Sequence, residues 1–210
     1  MAYNAARFGS PFDFGANYNL TTNDMTKRGF VWGRTGLGIF TYLLQPLHID
    51  ALFPFLHDFD KATSYQGLTL TEKLMGGALW IYPILFMGIV GLFRKDLFDD
   101  KKAYRMLCMG LVMTVIVVVA DTQMAGLLTR YYMDFVWLMM IGSVITVFAI
   151  YAKTGGNMKA RAQTLNITAV LAYVTIALAF LTIFAHTEDP IMGSNPGLYY
   201  KIQYMIAFWL

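Results

Sequence analysis

Charged residues and cysteine are scarce in this sequence. Only 14% of its 210 residues are charged and 57% are hydrophobic, whereas a soluble domain carries about 25% charged residues. This deficit argues against a water-facing globular domain, and the 16% of aromatic residues exclude a disordered chain. The single cysteine, Cys108, excludes an intrachain disulfide and a thiolate metal cluster. The composition therefore predicts an integral membrane protein whose main partner is the lipid bilayer.

A strong excess of basic residues is also missing. The formal net charge is only +3, and the lysines and arginines are scattered along the chain rather than clustered. A nucleic-acid partner is therefore not expected, because such proteins carry a concentrated basic patch.

Long apolar runs dominate the last two thirds of the chain. A spanning helix needs about 20 mostly apolar residues, and four segments approach or meet that length: 74–93, 106–120, 135–152 and 166–185. The first contains Pro83, which membrane helices tolerate. The sequence therefore predicts an all-α membrane fold with four transmembrane helices. The corresponding domains are an N-terminal segment (1–73), a four-helix bundle (74–185) and a tail with an interfacial helix (186–210).

Basic residues are concentrated in alternate loops. Five lie in 94–105 and three in 153–163, whereas the turn between the second and third spans contains only Arg130. The positive-inside tendency therefore places both basic loops in the cytoplasm. Residues 1–73 and the C-terminal tail are then extracytoplasmic.

The N-terminal segment has no signal-peptide pattern that would explain its export. Either the first span exports it, or an upstream helix does so in a longer protein. We expect the second arrangement, in which this chain is the rear part of a larger protein, because basic residues such as Arg7 and Lys27 make the segment an awkward cargo for the first span.

Residues 7–34 are rich in Gly, Asn, Thr, Phe and Tyr and predict an ordered loop. One interpretation is a lid over the bundle with its aromatic rings at headgroup level. The other is a substrate loop, in which Arg7 and Asp13 contact an anionic or sugar group.

Residues 36–57 are apolar but contain Pro46 and Pro54. Proline breaks a helix, so the two pieces are too short to span a membrane. They predict interfacial or re-entrant helices.

Two histidines and two aspartates are concentrated near those prolines: His48, Asp50, His57 and Asp58. Such side chains can bind a divalent cation, although their spacing matches no known metal motif. The alternative is the polar side of an interfacial segment. No other cofactor is evident.

Arg130 and Asp134 lie four residues apart at the start of the third span, and Asp121 precedes the same turn. On a helix Arg130 and Asp134 share a face. One interpretation is an anchor flanked by Tyr131 and Tyr132 in the aromatic belt. The other is an anion site in which Arg130 binds a phosphate or pyrophosphate with its two-pronged guanidinium.

Two regions carry a family resemblance: RFGSPFDFG at 7–15, followed by YNLT at 18–21, and RYYMDF at 130–135. They resemble the C-terminal half of large bacterial multi-pass proteins related to the GT-C glycosyltransferases, which take sugars from polyprenyl-phosphate donors. The resemblance implies a location in the bacterial cytoplasmic membrane and a lipid-phosphate-linked sugar as ligand. The acidic catalytic residue of that family lies in an N-terminal outer loop that has no match here, so no residue inherits a catalytic role.

The sequence therefore predicts the C-terminal membrane region of an envelope glycosyltransferase-like protein. The alternative is a non-enzymatic multi-pass subunit or scaffold that packs against other membrane helices. A small-solute transporter is a weaker alternative, because the spans lack the interior charges that transport pathways usually contain.

Overall fold

The computed structural model describes residues 1–12, 29–58, 64–65, 68–69, 74–124, 126–185 and 191–209. Within these ranges the chain is mostly helical. The helices are α1 (Ala2–Phe8), α2 (Trp32–Ile39), α3 (Ala78–Ile81), α4 (Phe86–Phe93), α5 (Lys101–Met124), α6 (Tyr132–Lys153), α7 (Met158–Ala185), α8 (Ile191–Ser194) and α9 (Pro196–Ile206). Short strands are β1 (His48–Ile49), β2 (Leu56–His57), β3 (Ser64–Tyr65) and β4 (Leu68–Thr69).

Three helices are long and apolar enough to cross a membrane: Lys101–Met124, Thr129–Lys153 and Met158–Ala185. They contain the predicted second, third and fourth spans. Each is longer than its predicted segment, because basic and polar residues continue the helix beyond the apolar run. Lys101 and Lys102, for example, form the first residues of α5. At about 1.5 Å per residue, the 28 residues of α7 extend about 42 Å, which exceeds the roughly 30 Å hydrocarbon core.

The predicted first span is not one continuous helix. Residues 74–77 are non-helical, α3 ends at Ile81, a 3₁₀ turn covers Pro83–Leu85, and α4 follows. Pro83 explains the break, because proline has no N–H and disfavours the α conformation in the preceding residue. Tyr82 accordingly has φ −121° and ψ 72°. The expectation that a helix would continue through Pro83 is therefore wrong.

Hydroxyl side chains from two other helices bind the backbone around this break. The Ile84 N–H donates to Thr175 Oγ1 of α7 at 3.1 Å, and the Gly88 N–H donates to Ser143 Oγ of α6 at 3.1 Å. Thr175 and Ser143 are both buried. Broken helices persist at membrane depth only when neighbouring groups satisfy the freed backbone, and these two hydroxyls meet that requirement.

Close helix packing forms the centre of the bundle, where α6 contacts both α4 and α5. Small residues allow this approach, as is common between membrane helices. Gly91 of α4 faces Thr146 of α6 so closely that a Cβ would overlap the threonine side chain. Gly142 of α6 has the same relationship to Leu107 of α5, whose Cδ1 would lie 2.7 Å from an added Cβ.

The start of α2 packs against the end of α5. The π-helical turn Phe40–Leu44 packs against the segment that joins α5 to α6. Gln123 of α5 donates to the Val31 carbonyl oxygen and accepts the Val31 N–H, at 2.9 and 3.0 Å. Tyr42 is fully buried, and its hydroxyl receives the Leu128 N–H at 2.8 Å. Residues 31–44 therefore contact the end of α5 and the segment that follows it.

The segment after this turn is a hairpin and not a helix. His48 pairs with His57 and Ile49 with Leu56 in an antiparallel register. The Asp50 N–H also bonds the Phe55 carbonyl oxygen across the turn at 2.9 Å. The expected interfacial helix over 47–57 is wrong, because Pro54 removes a helical donor and biases Phe53 toward extended backbone. The all-α expectation is corrected to a mostly helical fold with two-residue strands.

Aromatic residues fasten this hairpin and α9 to the end of α7. Phe53 lies with its ring centroid 5.6 Å from that of Phe184 and 5.2 Å from that of Tyr199. Burial raises the pKa of the Tyr199 hydroxyl above its ordinary value.

We call the end of the bundle that contains residues 29–58, 126–134 and 191–209 the aromatic end. Residues 29–58 of the N-terminal segment and residues 191–209 of the tail thus lie at the same end.

The opposite end, which we call the basic end, contains residues 94–101 and 153–161. Lys153 forms an ion pair with Asp99 at 3.0 Å, and Arg94 pairs with Asp96 at 2.8 Å. The hydrogen bond from Arg94 holds the pKa of Asp96 below its ordinary value. Arg161 bonds the hydroxyl of Tyr151 and lies over its ring.

Candidate functional site

Arg130 lies in the 3₁₀ turn Thr129–Tyr131, immediately before α6 at the aromatic end. Its side chain is exposed, and its guanidinium carbon lies 5.3 Å from the centroid of the Tyr131 ring. A cation over a tyrosine face is stabilised by the ring quadrupole. The aromatic neighbour expected from the sequence therefore contacts Arg130.

Asp121 and Asp134 lie close enough to interact through their charges. Asp121 is half-buried near the end of α5, whereas Asp134 is exposed in the first turn of α6. Asp121 Oδ2 is buried and has no hydrogen-bond partner among the described residues. Asp134 lies one helical turn after Arg130, a spacing at which the two side chains share one side of the helix. The two predicted carboxylates are thus together beside the turn that carries Arg130.

An apolar groove of about 460 Å³ runs along α6. It is lined by residues from Met133 to Ile145, including Trp137, Ile141 and Val144, and every lining side chain belongs to α6. Met133 and Trp137 follow Arg130 by three and seven positions, spacings that bring side chains to one side of a continuous helix. The groove therefore begins three residues after Arg130, which itself lies in the turn before α6.

A second, smaller cavity of about 260 Å³ lies between the broken span, α6 and the end of α7. Four of its lining residues carry hydroxyl groups, namely Tyr82, Thr129, Tyr132 and Thr182. The Tyr132 hydroxyl donates to the Gly76 carbonyl oxygen at 2.5 Å, and the Thr182 hydroxyl donates to the Ala179 carbonyl oxygen at 2.7 Å. Both oxygen atoms retain the capacity to accept a hydrogen bond. Met133 lines both the cavity and the α6 groove.

Only some of the four predicted metal ligands lie close together. His48 and His57 face one another across the hairpin, with ring centroids 6.0 Å apart. Asp50 accepts a hydrogen bond from the Ala51 N–H, and Asp58 is buried with its carbonyl oxygen 3.4 Å from His48 Nδ1. Across the ranges that the structure describes, no group of three or more His, Cys, Asp or Glu side chains could hold a metal ion.

The sequence also predicted two site residues in the N-terminal loop, Arg7 and Asp13. Arg7 belongs to α1, where it donates to the Tyr3 hydroxyl at 3.0 Å and lies over the Phe8 ring. These contacts are local to α1. Gly9, which follows the last residue of α1, has φ +78°. Asp13 lies outside the described residues.

Sequence reasoning missed the hydroxyl groups of the second cavity. Tyr82, Tyr132 and Thr182 are far apart in sequence, and a threonine or tyrosine near a span end is common at membrane interfaces. The usable signal was Pro83 within an apolar run, because breaks in membrane helices often accompany binding sites.

No family model, curated protein or solved structure matches this chain. The geometry of the described residues is therefore the basis for its functional interpretation.

Proposed function

We propose that this multi-pass membrane chain binds a polyprenyl-phosphate-type lipid, with the chain of the lipid in the α6 groove and its phosphate at Arg130. The observation that carries the proposal is the position of Arg130 in the turn immediately before α6, three and seven residues ahead of Met133 and Trp137, which line the groove. A groove with apolar walls favours a hydrocarbon chain, and a cation at one end favours an anionic headgroup.

The guanidinium suits a phosphate better than an ammonium would. Arg presents a planar fork that binds two oxygen atoms of one phosphate, whereas Lys is a single point charge. The Tyr131 ring lies against the Arg130 guanidinium and restricts its motion. Asp134, one turn away, can orient the guanidinium from the other side.

The proposed membrane arrangement places four crossings in the bilayer. The broken segment from α3 to α4 supplies the first crossing, and α5, α6 and α7 supply the other three. The residues of the basic end then face the cytoplasm by the positive-inside tendency. The aromatic end, with Arg130, is extracytoplasmic in this arrangement.

Within this proposal, the chain is the membrane region of a bacterial glycosyltransferase-like protein that handles a lipid-phosphate-linked sugar. No residue of the chain is assigned a catalytic role. The support is the position of Arg130 before the apolar groove of α6 together with the resemblance of residues 7–15, 18–21 and 130–135.

Binding of polyprenyl phosphate and the uncharged polyprenol to the detergent-solubilised protein tests the phosphate site. We expect the wild type to prefer the phosphate, and both Arg130→Lys and Arg130→Gln to lose about 10- to 150-fold in phosphate affinity, as for a lost charge-assisted bond. Polyprenol binding should not change. Arg105→Gln is the control, since Arg105 is also an exposed arginine but lies in α5 near the basic end.

Binding by Arg130→Lys at the wild-type level would overturn the phosphate site and leave Arg130 as an interfacial anchor. Equal losses for polyprenol and its phosphate would overturn it as well, since the substitution would then act on the fold rather than on the anion.

A scaffold role is the second candidate, and the exposure of α7 favours it. Only 11% of its most apolar 18-residue window is buried inside the chain, so most of its surface faces lipid or partner helices. Crosslinking from Tyr173 and Phe180, both exposed on α7, to another membrane protein in native membranes would support this role. Crosslinks to lipid alone would argue against it.

A further inference from the structure

Among the residues that the structure describes, those that line the cavity between the broken span, α6 and α7 are all uncharged. An ion buried there without a partner would be strongly disfavoured, so the phosphate proposed at Arg130 is not a suitable occupant. Its hydroxyl groups favour a neutral group that can form hydrogen bonds. Its volume of about 260 Å³ is just below the roughly 300 Å³ at which pockets for drug-sized ligands begin, which limits the occupant to about one ring.

The four hydroxyl groups come from three parts of the chain. Tyr82 lies at the helix break, Thr129 and Tyr132 surround the start of α6, and Thr182 lies in the last turn of α7. The Tyr82 hydroxyl makes no hydrogen bond with any residue that the structure describes. It can therefore donate to a ligand, while the oxygen atoms of Tyr132 and Thr182, whose protons bond carbonyl groups, can accept.

The cavity also adjoins the lipid-facing groove. Met133 contributes to both walls, so the cavity and the groove are adjacent at the start of α6. Together they place a small site for hydrogen-bonding groups next to an apolar surface that suits hydrocarbon.

We propose that the hydroxyl-lined cavity binds an uncharged, oxygen-bearing ring at the head of a lipid whose chain lies in the α6 groove. The ring chemistry is shared by a glycolipid headgroup and by an isoprenoid quinone. The proposal does not require phosphate binding at Arg130, because neither the ring nor the cavity is charged.

The experiment compares probes with one decyl chain and different heads: decyl glucoside, a decyl-substituted benzoquinone, decyl phosphate and decanol. Their binding to the full chain in lipid nanodiscs is measured for the wild type, Tyr82→Phe and Thr182→Val. Thr164→Val is the matched control, because the Thr164 hydroxyl donates to a carbonyl oxygen of α7 as that of Thr182 does, but near the basic end.

We expect the wild type to bind at least one ring probe more tightly than decanol. Tyr82→Phe should weaken the binding of either ring probe by about 2- to 10-fold, as expected for one neutral hydrogen bond. Thr182→Val should weaken only the glucoside to this extent, because a quinone has no donor for the Thr182 oxygen. Both substitutions should leave decyl phosphate binding unchanged. Arg130→Gln and Thr164→Val should not alter ring binding. A preference for the glucoside or the quinone identifies the source of the ring.

Ring probes that bind no better than decanol would overturn the proposal. It would also fail if Tyr82→Phe and Thr182→Val weakened every probe equally, or if Thr164→Val weakened the binding of a ring probe. Loss of decyl phosphate binding in Arg130→Gln concerns the phosphate site alone, so the two proposals are tested separately.

Discussion

Thr175 Oγ1 accepts the hydrogen bond of the Ile84 N–H at 3.1 Å, joining α7 to the first residue after Pro83. The two residues are 91 positions apart in sequence, and Thr175 is buried. The contact explains how an interrupted helix persists within an apolar bundle. A backbone N–H exposed to hydrocarbon is costly, and a hydroxyl on a neighbouring helix removes that cost.

Replacing Thr175 with valine should destabilise the protein by about 1–2 kcal/mol, because the Ile84 N–H loses its acceptor while side-chain shape is nearly retained. The measurement is the free energy of reversible unfolding in detergent. Thr168→Val is the control: it lies two turns earlier on α7, and its buried Oγ1 has no hydrogen-bond partner among the described residues. Thr168→Val should be neutral or slightly stabilising, and equal losses in both variants would refute the role given to Thr175.

Gly77 should tolerate no side chain, because a Cβ there would lie 2.5 Å from the carbonyl carbon of Leu43 and 2.6 Å from its oxygen. Backbone atoms cannot move aside as a flexible side chain can, so Gly77→Ala should cost about 1–3 kcal/mol or more in unfolding free energy.

The matched control for Gly77 is Gly36→Ala, since a Cβ on Gly36 of α2 meets no atom within 4 Å. Alanine is favoured over glycine within a helix by about 0.5–1 kcal/mol, so this variant should be at least as stable as the wild type. If Gly77→Ala unfolded with the same free energy as Gly36→Ala, residues 43–44 would not pack against Gly77 as described.

Hydrophobic pattern was sufficient to place α5, α6 and α7, because their apolar runs are long and uninterrupted. It could not determine their ends: α7 begins at Met158, eight residues before the predicted span, since helix propensity continues through polar residues such as Lys159 and Gln163. The break at Tyr82 and the hairpin at 47–57 depend on Pro83 and Pro54. Both prolines are visible in the sequence, but a proline can either kink a helix or break it, so the sequence alone did not decide the local structure.

The candidate site was likewise predictable only in part. Arg130, Asp121 and Asp134 could be grouped from the sequence because they surround one short turn. The cavity could not, because Tyr82, Tyr132 and Thr182 are brought together only when three helices pack. Long-range contacts such as that of Gln123 with Val31, 92 residues away, likewise leave no periodic trace in the sequence.

The proposed topology predicts opposite labelling of the two bundle ends. Gly156 lies in the exposed turn of the basic end, and Ala51 is exposed in the β1–β2 turn at the aromatic end. In a Cys108→Ser background, an impermeant thiol reagent added to intact cells should label Ala51→Cys but not Gly156→Cys. The positive-inside tendency gives this direction.

Permeabilised cells supply the control for that experiment, since both cysteines should then react. Labelling of Gly156→Cys alone in intact cells would reverse the orientation. Labelling of both positions in intact cells would contradict placement of the two ends on opposite sides of the membrane.

Photocrosslinking tests the central claim most directly, because it locates the bound lipid on the helix. The probe is polyprenyl phosphate with a photoreactive group in its chain, and the crosslinked residues of the full chain in nanodiscs are identified by mass spectrometry. We predict crosslinks on α6 between Met133 and Ile145, competed by unlabelled polyprenyl phosphate and strongly reduced in Arg130→Gln. Crosslinks spread equally over the exposed apolar faces of α5 and α7, or unchanged in Arg130→Gln, would contradict a lipid-phosphate site at Arg130.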